Sequence, residues 1–133
     1  MPNVNDIDLA TTTLAGLTGA KYNTAALSST TASAGQLSGA VVVVMNNSGA
    51  NPATYTTRTV AQMIADSLLQ VGQVYLVILC NGQATGTLTL AGGTGVTITG
   101  TATVAANVFR IFTVTVNSMA AITFQNVGSG VAP

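Results

Sequence analysis

The 133-residue chain has no histidine, glutamate or tryptophan, and it has a single cysteine. Its ionisable complement is three acids (Asp6, Asp8, Asp66) and three bases (Lys21, Arg58, Arg110). Each shortage excludes a chemistry. Without histidine, a serine or cysteine nucleophile lacks its usual activating base. Lys21 is the only lysine, and it sits in a polar stretch with no partner motif. Carboxylate-pair hydrolysis needs two acids held ~5–10 Å apart on rigid elements. Asp6 and Asp8 are close neighbours in what reads as an arm, and Asp66 stands alone on a helix. One cysteine cannot build a zinc site, and Asp6-Ile7-Asp8 has no surrounding acidic loop to supply the ~6–8 oxygens calcium takes. The expectation is a protein that is not an enzyme and holds no cofactor or metal.

Scarcity of charge excludes partners as well. Three scattered bases cannot form a phosphate-tracking stripe, so no nucleic-acid partner is expected. The most apolar stretch, Leu68–Cys80, is broken by Gln70, Gly72 and Gln73, and it is shorter than the ~20 residues of a membrane helix. No membrane association is expected. The start, MPNVNDIDLA, is acidic where a secretory leader is basic, and no apolar core follows it. Synthesis in a cytoplasm without classical export is the corresponding expectation. Cys80, closing an apolar strand, reads as a buried thiol.

What remains is hydrophobic and hydroxylated. The chain is 48% hydrophobic with formal net charge zero, the opposite of a disordered composition. Only 5% of its residues are charged, against roughly a quarter to a third of a typical designed surface. Either Thr, Ser, Asn, Gln and Gly keep it soluble, or other subunits cover much of it.

The organising stretch is Val71–Val116, above all TGTLTLAGGTGVTITGTATV at 85–104. Leu88, Leu90, Val96 and Ile98 alternate there with Thr87, Thr89, Thr97 and Thr99, a period of two that means strands with one dry and one wet face. Residues 1–20 read as an extended arm with a short strand near Ala10–Leu14, and residues 21–133 as a single β-sandwich domain. The arm is either a frayed terminus or a strap onto a neighbour's sheet edge. An edge strand is expected at Thr24–Leu27, a doubly buried strand at Ala40–Asn46 and a short strand at Thr54–Thr57. Thr59–Leu69 is the one helix: Val60, Met63, Ile64, Ser67 and Leu68 share a face, Thr59 and Gln62 form a capping box, and Gly72 supplies the stop. This helix is expected to plug one end of the sandwich.

Gln73–Cys80 is apolar on both alternations, so it predicts a central strand covered on two sides, by the core and by the helix or a neighbouring subunit. Asn81-Gly82 and Gly92-Gly93-Thr94-Gly95 read as hairpin turns. The second lacks the lysine and following helix of a nucleotide loop. Val108, Phe112, Val114 and Val116 share one face with Arg110, and Phe109, Ile111, Thr113 and Thr115 take the other. Arg110 is read as a snorkelling strand residue, or as the ion-pair partner of Asp66 or of another protein. A last strand spans Ala121–Gln125, followed by a Gly/Ser tail. No long repeat is visible, which argues against a solenoid. The resulting fold class is an all-β antiparallel sandwich, jelly-roll-like, with one short α-helix. The Thr-x-Thr pattern also suits an ice-binding or otherwise adhesive surface, though strict repetition is missing.

VGQVYLVILCNG, TLTLAGGTGVTITGTATVAAN and FRIFTVTVNSMAAITF, over 71–124, resemble a segment of structural proteins of tailed bacteriophages. That pattern runs "TLxxGxGVTxxG", "TVAA", "FRxxxTVTxxxAxT", and the strand–helix pair at 53–69 resembles its companion. The resemblance covers about two-thirds of the chain and brings no active site with it. Cys80-Asn81-Gly82-Gln83 stands where relatives have an "NTSA"-like turn. It implies a virion structural protein, made in the host cytoplasm: a capsid decoration or cement protein on the head surface. Such a homotrimer would clamp the major capsid protein. The alternative is a tail fibre or spike head domain that binds a host glycan, for which only three tyrosines are at hand. Candidate subunit or capsid contacts are Asp6, Asp8, Leu14, Leu17, Tyr75 and Arg110.

Overall fold

A computed structural model of the chain describes residues 21–26, 29–39, 41–46, 52–82 and 85–131. The expected arm, with its strand near Ala10–Leu14 and the candidates Asp6, Asp8, Leu14 and Leu17, lies outside them. Four strands precede the helix: β1 (Lys21–Ala26), β2 (Thr30–Thr31), β3 (Val41–Asn46) and β4 (Ala53–Thr56). Then come α1 (Val60–Ser67), β5 (Val74–Asn81), β6 (Leu88–Ala91), β7 (Val96–Thr99) and β8 (Thr103–Val104). Two long strands finish the chain, β9 (Val108–Ser118) and β10 (Ala121–Val131). The larger sheet has the order β1-β3-β5-β9-β10-β7, and the smaller one β2-β4-β6-β8.

Among the described residues the fold is strand-dominated with one short helix, as the alternating pattern predicts, but its pairing is mixed where an antiparallel, jelly-roll-like sandwich was expected. β1, β3 and β5 run parallel in the larger sheet, and β2, β4 and β6 run parallel in the smaller one. The chain crosses from one sheet to the other after each of these strands, so successive turns stack like coils. This is the solenoid-like winding that the missing repeat argued against. The repeat is hidden because the turns differ in length. Lys21 pairs with Val41 and Val41 with Val77, because α1 is inserted in the second turn. β8 and β9 then add antiparallel strands to β6 and β5, and β10 pairs with β9 antiparallel and with β7 parallel.

Both expected hairpins in the central stretch are therefore corrected. The chain leaves β5 in the larger sheet for β6 in the smaller, and leaves β6 for β7 in the larger again. Asn81-Gly82 opens the first crossing and Gly92–Gly95 forms the second. Turn residues mark a change of direction, but they do not say which sheet the chain enters next. The last strand also runs six residues past Gln125, through the Gly/Ser stretch to Val131. Gly130 and Gly128 pair with Phe109 and Ile111 there, and a Cβ on Gly130 would fall 2.5 Å from the Phe109 ring.

One core lies between the sheets. Tyr75, Val77 and Leu79 of β5 supply it, with Phe112, Val114 and Val116 of β9, and Ile122 and Phe124 of β10. Ala53, Tyr55, Leu88, Leu90 and Val104 come from the smaller sheet. The Phe112 and Phe124 rings meet edge to face at 6.4 Å, a geometry aromatic quadrupoles favour. Tyr55 donates its hydroxyl to Gln36 Oε1 at 2.7 Å, and Tyr75 donates to the Leu37 carbonyl at 2.9 Å. Burial pushes both phenols well above the ordinary value of 10.0. Both stay protonated in the fold while the unfolded chain's tyrosines ionise, so the unfolded state then binds fewer protons and stability falls as pH rises. Stability contributed by these phenols is full below pH ~10 and should decline above it by roughly 1.4 kcal/mol per pH unit for each tyrosine. Urea unfolding midpoints from pH ~8 to ~11 read this directly.

α1 sits where β5, β7 and β10 begin. Val60 and Met63 are buried, and Val60 packs close to Gly95. Its start is as predicted: Thr59 Oγ1 accepts from Gln62 N–H at 3.2 Å, and Gln62 Oε1 accepts from Thr59 N–H at 3.1 Å. An Arg58–Asp66 ion pair at 2.6 Å ties the residue before the cap to the last turn. The stop is not Gly72 but Leu68, which takes the left-handed conformation with φ 51° and ψ 45°. Gly72, φ 88°, shapes the next turn into β5. Leu68 is 84% exposed, so its side chain does nothing to offset the backbone cost. Leu68→Gly is expected to stabilise the protein by about 0.5–1 kcal/mol, visible as a rise of a few degrees in Tm by circular dichroism.

Candidate interaction surface

A strand between two neighbours shows its even and odd residues to opposite sides. On β5, Tyr75, Val77, Leu79 and Asn81 point into the core. The other set, Val74, Leu76, Ile78 and Cys80, forms the outer side, with Val74 60% and Leu76 50% exposed and the other two half-buried. Phe109, Ile111, Thr113 and Thr115 of β9 lie opposite Cys80, Ile78, Leu76 and Val74. Gly130, Gly128, Gln125 and Thr123 of β10 continue the same rows. On the far side Ile78 and Cys80 pair with Val42 and Val44 of β3. The outward rows of β5 and β10 hold no ionisable residue except Cys80, and the sole charge on β9, Arg110, lies in the register of buried Leu79. The outward rows of β5, β9 and β10 are thus neutral, and apolar along β5.

Gln73–Cys80 was expected to be covered on two sides. The core covers one; α1 packs into the end of the core and leaves the outer side of Val74 and Leu76 open. Cys80, expected to be buried, is half-buried on this outer side. Its surroundings push the thiol up from its ordinary value by desolvation, which keeps it protonated and slows its attack on electrophiles.

Two candidate contacts can be placed. Tyr75 is only 8% exposed and hydrogen-bonded within the core, so it is not a surface contact. On a strand apolar in both registers, alternation alone could not say which set faces inward. Arg110 is half-buried, and its Nε donates to the Thr103 carbonyl. Its expected pairing with Asp66 does not form, because Arg58 holds that carboxylate.

A second regular surface is the outer side of the smaller sheet. Thr54 pairs with Thr89, Thr89 with Thr103, and Thr31 with Thr56. These residues are half-buried or exposed, and they form short in-register rows of hydroxyl and methyl groups.

Asn81 is the polar residue that the sequence reading passed over. It is fully buried, and its Nδ2 donates to the Gly86 carbonyl at 3.1 Å and to the Val104 carbonyl at 2.9 Å. An asparagine closing an apolar strand was a usable signal, but it was absorbed into the hairpin interpretation.

A cleft of about 360 Å³ is lined by Thr59, Val60, Ala61, Thr94, Gly95, Met119 and Ala120, none of them titratable. The N–H groups of Val60, Gln62 and Met63 beside it are already bonded to Thr94 O, Thr59 Oγ1 and Thr59 O respectively. Among the described residues there is no cluster of three His, Cys, Asp or Glu side chains, and no helix long and apolar enough to cross a membrane. No protein-family model matches the chain, and no curated protein or solved structure matches it.

Proposed function

We propose that the chain is a structural subunit that works assembled with other protein: a decoration or cement protein on the head of a tailed-phage virion, present there as a homotrimer clamping the major capsid protein. The observation that carries the reading is the open outer face of the larger sheet. An isolated domain gains nothing by leaving a neutral apolar sheet face in water, and contiguous exposed apolar patches mark association sites. The low charge of the whole chain points the same way. Contacts of this kind draw on buried apolar area, so their strength should vary little with salt. The virion setting rests on the sequence resemblance over 71–124.

Immunogold labelling of purified particles tests it. Label over the shell supports decoration; label on the tail supports the fibre or spike alternative; particles without label overturn both. The threonine rows of the smaller sheet favour a second reading, an ice-binding or adhesive surface, because in-register rows repeat hydroxyl and methyl groups at strand spacing. Thermal hysteresis at micromolar protein is the result that reading requires, and its absence removes it.

A further inference from the structure

We infer that the outer face of the larger sheet is covered by a second copy of this chain, packed sheet against sheet across the whole sheet and centred on β5, β9 and β10. The inference rests on the reading above that this face is covered in an assembly, and it assigns the cover to a two-fold pair of chains in place of a three-fold arrangement.

Size is the first argument. Six strands ~4.8 Å apart and the eight residues of β5 at ~3.3 Å each give a face of roughly 29 by 26 Å. Two such faces laid together hide on the order of 1,500 Å², inside the ~1,200–2,000 Å² that stable, specific interfaces bury. A contact confined to one strand would fall well short.

Charge is the second. A partner of ordinary composition would bring ionised side chains against outward rows of β5, β9 and β10 that offer no counter-charge, and an uncompensated buried charge is strongly destabilising. A copy of this chain brings none: its own face presents Leu76, Ile78, Phe109 and Ile111 with threonines beside them. The third is shape. A twisted sheet face is self-complementary under a two-fold rotation, with the strands of the two sheets crossing at about 30°. Outward side chains of one sheet then settle between those of the other.

The test is the solution mass of the full chain by light scattering, for the wild type and three variants. Leu76→Lys and Ile111→Lys each place an ammonium in the centre of the proposed interface. Both residues point away from the core, so circular dichroism should be unchanged. Thr89→Lys places the same charge on the opposite side of the molecule. Wild type and Thr89→Lys should have a mass twice 13.2 kDa, falling on dilution, and the two interface variants should stay at 13.2 kDa. A wild-type chain that is monomeric at all concentrations overturns the inference, as do folded interface variants that remain multimeric. The dilution series needs no substitution and decides the matter even where a variant misfolds. A monomeric wild type that still sediments with phage particles would leave the structural role standing and remove only self-association. A monomer that binds no particle would remove both.

Discussion

Alanine at position 93 should cost the protein about 3 kcal/mol of stability and lower Tm by roughly 10 °C. Gly93 lies in the second sheet crossing, where β6 hands the chain to β7. Its N–H donates to Thr57 Oγ1 at 2.8 Å, while Thr57 N–H donates to the Ala91 carbonyl at 2.9 Å. The crossing is thereby pressed against the segment that leads into α1. A Cβ on residue 93 would sit 2.6 Å from the Thr57 carbonyl oxygen and 2.7 Å from that of Arg58. Both are backbone atoms, so no side-chain rotation relieves the overlap. Relief requires moving the strand end, the capping threonine beside it, or both. Thermal unfolding followed by circular dichroism measures the loss. Gly82→Ala, at an exposed position of the other crossing, is a suitable reference.

Asn81→Leu should be as damaging by a different route. The side chain closes the end of β5 by donating to carbonyls on two other segments, Gly86 and Val104. Leucine is similar in volume and more hydrophobic, so on burial alone it should be tolerated. It offers no donor, however, and strands the buried Val104 carbonyl and the half-buried Gly86 carbonyl at ~1–3 kcal/mol each. The expected net loss is about 3 kcal/mol by urea unfolding, with Asn81→Ala worse because a cavity adds to it. A leucine variant as stable as the wild type would mean that these carbonyls find other donors.

These two residues also mark where the sequence could and could not be read. Period-two alternation located the central strands and assigned the faces of β9 correctly, because Phe112, Val114 and Val116 differ sharply from Thr113 and Thr115. The capping box at Thr59 and Gln62 was legible because it depends on local chemistry four residues wide. Pairing was not. Parallel stacking of β1 on β3 on β5 joins residues far apart in the chain, and turns of unequal length leave no repeat to detect. Gly92–Gly95 and Asn81-Gly82 announce a bend in either topology, so they were consistent with hairpins that do not exist. β5 was recognised as doubly apolar, yet composition could not say that Tyr75 faces inward and Leu76 outward. The helix stop was misplaced because an obvious glycine at 72 drew attention from Leu68, a residue ill-suited to the left-handed conformation it holds.

The face thus identified contains its own probe in Cys80, half-buried on the outer side of β5 opposite Phe109. Maleimide labelling of that thiol in the assembled protein, set beside Leu76→Lys under the same conditions, reports whether the outer sheet face is covered. Strong protection in the wild type and steady reaction in the variant is the predicted result. Equal rates in the two would mean that the face stays open to solvent, and the structural account given for this chain would be contradicted.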